Sequence, residues 1–249
     1  MKKPIALITG AGRRAGIAAG IARSLAQKGW DLALTSWMPY DEKMPWGVQR
    51  REVAAMIDEL SAIGARVFSY SSDLEQAGAA AGLFQSCEEE CGPLSALVLS
   101  HCESIRSGIL NTSMESIDRH FAVNVRASLQ LIQLFAAQIP TYGGSIVALT
   151  SDHTVGNVPY GASKAALDRI VLAGARELAH LKIRANVINP GPIDTGWMDE
   201  EIRSDLTKRQ PSGRLGTPQD IGDLVAFLFS VEGAWINGQL LKADGGFSA

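Results

Sequence analysis

The sequence predicts a doubly wound α/β fold, a parallel sheet of about seven strands with helices on both faces. Three observations carry that prediction. Short apolar runs alternate with helical patterns along all 249 residues. Several runs are apolar at consecutive positions, as in Ala96-Leu97-Val98-Leu99 and Ile146-Val147-Ala148-Leu149, which is how strands covered on both faces read. The first run leads through a glycine-rich turn, "TGAGRRAG", into an alanine-rich segment with Ile17, Ile21 and Leu25 at helical spacing. Strand, glycine turn and helix together are the opening of a Rossmann-type unit.

Taken in order, the apolar runs place strands at 5–9, 31–36, 66–70, 94–100, 145–150, 183–189 and 239–242. Helical patterns fall between them, near 16–28, 48–63, 75–91, 114–138, 160–180, 199–208 and 218–230. No linker, repeat or low-complexity segment interrupts the alternation, so residues 1–249 read as a single domain. Its dinucleotide-binding half runs to about 150, and its catalytic and substrate-binding half covers about 151–249. The least regular piece is residues 37–47, "WMPYDEKMPWG". Two prolines and two tryptophans suggest an ordered surface loop, either a cover for the adenosine end of a ligand or a hydrophobic flap that touches no ligand.

Bulk properties narrow the function. With 46% apolar and 20% charged residues, the composition is that of a globular protein. A formal net charge of −3 provides no general attraction for nucleic acid or an anionic membrane. No apolar run reaches the roughly 18 residues of a membrane span. The opening "MKKPIALITG" carries two lysines before its apolar residues but no long apolar core and no cleavage site, so it reads as the first strand of a cytoplasmic protein. Three cysteines, Cys87, Cys91 and Cys102, do not suggest a disulfide framework. Cys87 and Cys91 are spaced to share one helix face and read as packed thiols rather than metal ligands.

In this fold, ligands bind outside the carboxyl ends of the strands, where the strand order reverses. Gly10 and Gly12 let the backbone turn tightly and approach a pyrophosphate, and Gly16 with Ile17 opens a helix whose amides favour an anion. The spacing Gly10-x-Gly12-x-x-x-Gly16 is one residue longer than the common fingerprint. The second strand ends in Thr35-Ser36-Trp37 without the acid that would accept the ribose hydroxyls of NAD(H), and no acid follows until Asp41. Arg13 and Arg14 stand in the turn, and guanidinium suits a phosphate. NADP(H) is therefore favoured, with NAD(H) the alternative; both arginines are otherwise solvated turn residues. Tyr160 and Lys164, four apart on a predicted helix, share a face. An ammonium beside a phenol lowers the phenol's pKa from about 10, so the pair suits proton donation to a carbonyl.

These stretches, together with "SDL" at 72–74, "FAVNVRAS" at 121–128, "YGASKAAL" at 160–167, "IRANVINPGPIDTGW" at 183–197 and "GRLGTPQDIGDLVAFL…INGQLLKADGG" at 213–246, resemble the short-chain dehydrogenase/reductase family. The resemblance covers essentially the whole chain. Its last segments look most like the 3-oxoacyl-carrier-protein reductase branch, while the long glycine turn looks like that of enoyl-carrier-protein reductases. It implies hydride transfer between a nicotinamide and a carbonyl or secondary alcohol, with a 3-oxoacyl thioester as one candidate substrate. It implies a catalytic set of Asn124, Ser151, Tyr160 and Lys164, in which Ser151 positions the substrate carbonyl and Asn124 holds a relay water. It places Asp73 and Leu74 beside the adenine, and Pro190, Gly191, Ile193 and Thr195 beside the nicotinamide. Ser36 and Ser100 complete the cofactor contacts, to which Tyr160 and Lys164 also belong. Family members are commonly tetramers, so a homotetramer or homodimer is implied, through the helices near 114–138 and 160–180 and the C-terminal segment.

Two departures stand out. The family usually has Asn-Asn-Ala-Gly after the fourth strand, where this chain has Leu99-Ser100-His101-Cys102. The loop between Ser151 and Tyr160 holds eight residues, fewer than is usual, which makes Thr150 a substitute for a displaced Ser151. They motivate a second reading, a catalytically weak or inactive dinucleotide-binding sensor or partner subunit. His101, Cys102, Asp152 and His153 all follow strand ends, but no metal site is expected of them. Substrate choice is expected from residues 101–106, 152–159 and a lid at 196–209. Arg126 and Arg169 would be the candidates for docking a carrier protein.

Overall fold

The computed structural model describes residues 3–48 and 51–249. The strands are β1 (Ile5–Thr9), β2 (Asp31–Ser36), β3 (Val67–Ser71), β4 (Ala96–Leu99), β5 (Gly144–Leu149), β6 (Ile183–Asn189) and β7 (Leu240–Lys242). They form one seven-stranded sheet in the order β3-β2-β1-β4-β5-β6-β7. Every pairing is parallel, including β1 with β4, where Leu7 stands opposite Leu97. The order reverses between β1 and β4, so a crevice opens beyond Thr9 and Leu99.

Consecutive apolar residues in a strand serve opposite faces. Leu7 joins Leu97, Leu99, Phe135 and Val171 in one buried cluster, whereas its neighbour Ile8 joins Val98, Ile21, Leu25 and Val225 in another. The helices are α1 (Ile17–Gln27), α2 (Met38–Asp41), α3 (Glu52–Ala62), α4 (Ala79–Glu90), α5 (Met114–Phe121), α6 (Ser128–Gln138), α7 (Val158–Glu177), α8 (Glu200–Arg209) and α9 (Pro218–Leu228). The helix expected over 48–63 begins here at Glu52, and positions 49 and 50 lie outside the described residues. Helices α1 and α9 cross so closely that a β-carbon on Gly20 would lie 2.2 Å from the Pro218 carbonyl oxygen. Threonine at the start of α9 closes a capping box, with Thr217 and Asp220 each bonding the other's backbone amide.

The pattern over 114–138 is not one helix. Residues Ala122–Ala127 widen into a π-helical segment between α5 and α6. Such segments are uncommon and occur most often at functional sites. Here it carries Asn124. Cys87 and Cys91 are buried at the end of α4, with the Cys91 thiol donating to the Cys87 carbonyl. No helix among the described residues is long and apolar enough to cross a membrane.

Candidate active site

A single elongated cavity lies over the β1/β4 crevice. Gly10 has φ +75°, and a β-carbon on it would come within 2.8 Å of the His101 backbone, so the turn leaves β1 in a conformation that suits glycine alone. Gly16 is the N-cap of α1 and no side chain caps that helix, which leaves its first amides directed at the cavity. Gly10, Gly12, Gly16 and Ile17 line the cavity together with Ser36, Asp73, Leu74 and Ser100. Pro190 and Thr195 line its far end. Gly191, with φ +63°, is packed against Asp244, and Ile193 is buried in the core behind the cavity wall.

The two arginines of the turn separate. Arg13 stays on the cavity: its guanidinium lies 4.3 Å from the Trp46 ring centre and donates to the Thr195 carbonyl at 2.7 Å. Arg14 points the other way and pairs with Glu59 of α3 at 3.0 Å, a carboxylate also held by Arg23. Of the two, only Arg13 lines the site, because α3 offers Arg14 a carboxylate on the outer side.

The floor holds the candidate catalytic side chains. Tyr160 and Lys164 lie on one face of α7, with the ammonium 5.7 Å from the phenol ring centre. Lys164 is buried and donates to the Leu149 carbonyl at 2.9 Å. Burial lowers its pKa, against which Cys102 and Asp168 favour the charged form. The phenol of Tyr160 is pushed well above the ordinary tyrosine range, first by burial and then by Cys102, while Ser151 works in the opposite direction. This corrects the expectation that Lys164 sets the phenol low: desolvation dominates, and the ammonium is committed to a backbone carbonyl. The hydroxyl of Ser151 accepts from the His153 amide at 3.1 Å. The adjacent Thr150 also lines the cavity and is buried, beside Asp168.

Asn124 is fully buried just outside the cavity lining. Its amide oxygen accepts from the Glu103 amide at 2.7 Å, and its Nδ2 donates to the Glu103 carbonyl and to Ser163 Oγ. Ser163 in turn donates to the Tyr160 carbonyl at 2.8 Å. The π-helical segment thus clamps the loop after β4 to the first turns of α7, where Tyr160 stands.

Residues 10–248 match the family described as "Enoyl-(Acyl carrier protein) reductase". The chain belongs to the short-chain dehydrogenase/reductase family. "Uncharacterized oxidoreductase YjdA" of Bacillus subtilis (strain 168) is 33% identical over 253 residues, covering 99% of this chain and 97% of that one. Among solved structures, a blue fluorescent protein from a metagenomic library, in complex with NADPH, is 30% identical with a TM-score of 0.88, covering 99% of this chain and 98% of that one. The angucycline C-6 ketoreductase LanV with bound NADP is 30% identical with a TM-score of 0.86, covering 98% and 95%.

Within the short-chain dehydrogenase/reductase frame, the unusual Leu99-Ser100-His101-Cys102 stretch has a structural account. His101 Nδ1 lies 2.7 Å from Thr9 Oγ1, and its Nε2 lies 3.0 Å from the Val123 carbonyl. A carbonyl only accepts, so Nε2 carries the proton and Nδ1 accepts from the threonine. Burial and the nearby Lys164 hold the imidazole neutral, its pKa lowered to about 3. His101 therefore ties the end of β1 to the π-helical segment across the cavity floor, and both its ring nitrogens are engaged. The short loop before α7 is also anchored, through Val158 N to the Ser107 carbonyl at 2.9 Å and Asn157 to Ser104. Arg106 stacks 5.1 Å from Trp197, which joins the segment after β4 to the segment leading into α8.

Residues 37–47 form the roof. Trp37, Tyr40, Asp41, Lys43 and Trp46 all line the cavity, so the ligand-covering alternative for this loop is the one the geometry favours. Tyr40, Lys43 and Arg119 line it without having been singled out from the sequence. The aromatic and charged density of "WMPYDEKMPWG" pointed to the first two, whereas nothing local marks Arg119 on α5. The sequence also raised α6 as an interface helix on its apolar faces; Leu131, Ile132 and Phe135 are buried in this chain's own core, and Leu129 is exposed.

The donor set fits a dinucleotide. The glycine turn leaves room where a side chain would collide, and α1 presents uncapped amides.

Proposed function

We propose that this chain is an NADP(H)-dependent carbonyl reductase, running in reverse as a secondary-alcohol dehydrogenase. The observation that carries the reading is the pair of half-buried Tyr160 and buried Lys164 in the same cavity as the glycine turn. The dinucleotide, when bound, supplies or takes the hydride. Gly10, Gly12, Gly16 and Ile17 with the α1 amides would hold its pyrophosphate, Ser36, Asp73 and Leu74 its adenosine, and Ser100, Pro190 and Thr195 the nicotinamide side, with Gly191 and Ile193 shaping the wall behind them. Arg13 supports the phosphorylated form, and both solved relatives described above carry NADPH or NADP.

Tyr160 acts as the general acid. The phenol is protonated at neutral pH, and its Oη proton passes to the substrate carbonyl oxygen as the carbon receives the hydride, giving the alcohol and a phenolate. The Lys164 ammonium, 5.7 Å from the phenol ring, is the positive charge placed to oppose the phenolate's charge as it forms, and Ser151, whose hydrogen bond favours the ionised phenol, orients the carbonyl. Asn124 holds the backbone around Tyr160 and would pass the replacement proton from solvent through a water. Exposed Ile105 and Val155, on the two segments expected to choose the substrate, favour an apolar carbonyl substrate. For a carrier-protein thioester the chain offers less, because Arg126 is already bonded to the Glu75 carbonyl. The non-catalytic reading rested on the stretch after β4 and on the short loop before α7; the His101 brace gives the first a structural role, and the Val158 and Asn157 bonds anchor the second.

Exposed Phe227, Val231, Trp235 and Leu240 support self-association, as a homotetramer or homodimer. The reading is tested by titrating the purified protein with NADPH by fluorescence and following NADPH consumption against a panel of ketones. Tyr160→Phe should abolish consumption while leaving NADPH binding within a few-fold of the parent. Undiminished turnover in that variant would sink the mechanism.

A further inference from the structure

The end of β2 carries Ser36 and no acid, yet the fold returns a carboxylate to that place. The single turn of α2 swings Asp41 back over the glycine turn. Asp41 Oδ2 lies 2.9 Å from the point a β-carbon on Gly12 would occupy, and Ser36 Cβ lies 3.5 Å from the same point. Asp41 Oδ1 accepts from Trp46 Nε1 at 2.9 Å, and the Trp46 ring carries the Arg13 guanidinium on its face. One carboxylate oxygen is therefore fixed by the indole, and the other faces the turn and the cavity. Glu52, whose carboxylate accepts from the Arg14 amide at 3.2 Å, adds a second negative charge near Arg13.

In dinucleotide sites of this architecture, a carboxylate beyond the second strand accepts the ribose hydroxyls of NAD(H), whereas a 2′-phosphate is received by a cation. Here the two groups stand side by side. We propose that Asp41 sets the dinucleotide selectivity: its carboxylate accepts the adenosine ribose hydroxyls and opposes the 2′-phosphate that Arg13 attracts, so the site takes both NADP(H) and NAD(H). Trp46 is a positioning residue that holds the carboxylate in place. The proposal rests on the reading of the cavity as a nicotinamide dinucleotide site. It places the selectivity determinant on the roof loop, five residues beyond the strand end.

The test is a fluorescence titration of the parent protein, Asp41→Asn and Trp46→Phe with NADPH and with NADH at one fixed low ionic strength. The parent is expected to bind the two within about tenfold of each other. Removing one negative charge beside a phosphate should tighten NADPH about tenfold in Asp41→Asn, because few-ångström charge pairs near a protein surface are worth at least that. The same change should weaken NADH several-fold, through loss of a charged acceptor. Trp46→Phe should move the ratio in the same direction by less. An Asp41→Asn protein with the parent's ratio overturns the assignment. A parent that prefers NADPH by more than about a hundredfold also overturns it, while leaving the reductase reading intact. A parent that binds neither dinucleotide overturns the reading of the cavity itself, and this inference with it.

Discussion

The floor and the roof of the cavity are built by different physics. On the floor, Thr9, His101, Asn124 and Lys164 are buried, and each has its polar atoms bonded to a backbone group or a neighbouring side chain. On the roof, Asp41 and Trp46, with Arg13 of the turn beneath them, are partly exposed and meet through a ring face and a single hydrogen bond. A buried polar group left without a partner carries a large penalty, so the floor has one arrangement. Partly exposed charges and stacked rings exchange with water at little net change, so the roof can be retuned without unfolding the protein. The floor is thus the place for chemistry, and the roof the place for choosing dinucleotide and substrate.

The largest effect that should separate them is Lys164→Met. Loss of the ammonium beside Tyr160 should lower kcat by a factor on the order of 10²–10⁴, the usual reach of assisted proton transfer. Steady-state ketone reduction measures it, and a loss under tenfold would contradict the assignment of chemistry to the floor.

His101→Leu comes next and should act on stability. It takes the imidazole away from the Val123 carbonyl and from the Thr9 hydroxyl, which keeps the Val98 carbonyl as an acceptor, and should reduce unfolding free energy by about 1–3 kcal/mol in urea melts. A pH dependence belongs to the same residue. The folded pKa, about 3, lies below the ordinary 6.5, so the unfolded chain binds the proton more readily. His101 therefore contributes its full stability above about 6.5, and that contribution is lost as the pH falls from there toward 3. Melts of parent and variant between these pH values should converge as the solution is acidified.

On the roof, Arg13→Ala should weaken NADPH binding about tenfold and flatten its salt dependence, with unfolding free energy changed by less than about 1 kcal/mol. A loss of stability comparable to that of His101→Leu would erase the distinction between the two regions. The smallest effect expected is that of Arg106→Ala, which removes the stacking on Trp197. It should raise KM for ketones by about two- to fivefold with kcat unchanged, in keeping with a cation–ring contact at the surface.

Much of the floor was legible before the structure. The runs at 5–9, 31–36 and 183–189 are β1, β2 and β6 to the residue. Tyr160 and Lys164 could be placed on a shared face from their spacing, since helical geometry is local. The break in the 114–138 helix was not legible, because its cause is Asn124 bonding Glu103 and Ser163, at 21 and 39 residues' separation. The role of His101 was hidden in the same way: its partners Thr9 and Val123 lie on other elements.

The sequence by itself determined the strand and helix alternation, the glycine turn and the spacing of the Tyr160–Lys164 pair, because each depends on backbone preferences and periodicity within a few residues. Only the tertiary structure decided that Arg13 faces the cavity while Arg14 turns to Glu59, that Asp41 comes back to Gly12, and that the phenol of Tyr160 is held high rather than low. Those outcomes depend on which charges and how much water surround a group. Neighbours far away in the chain supply both.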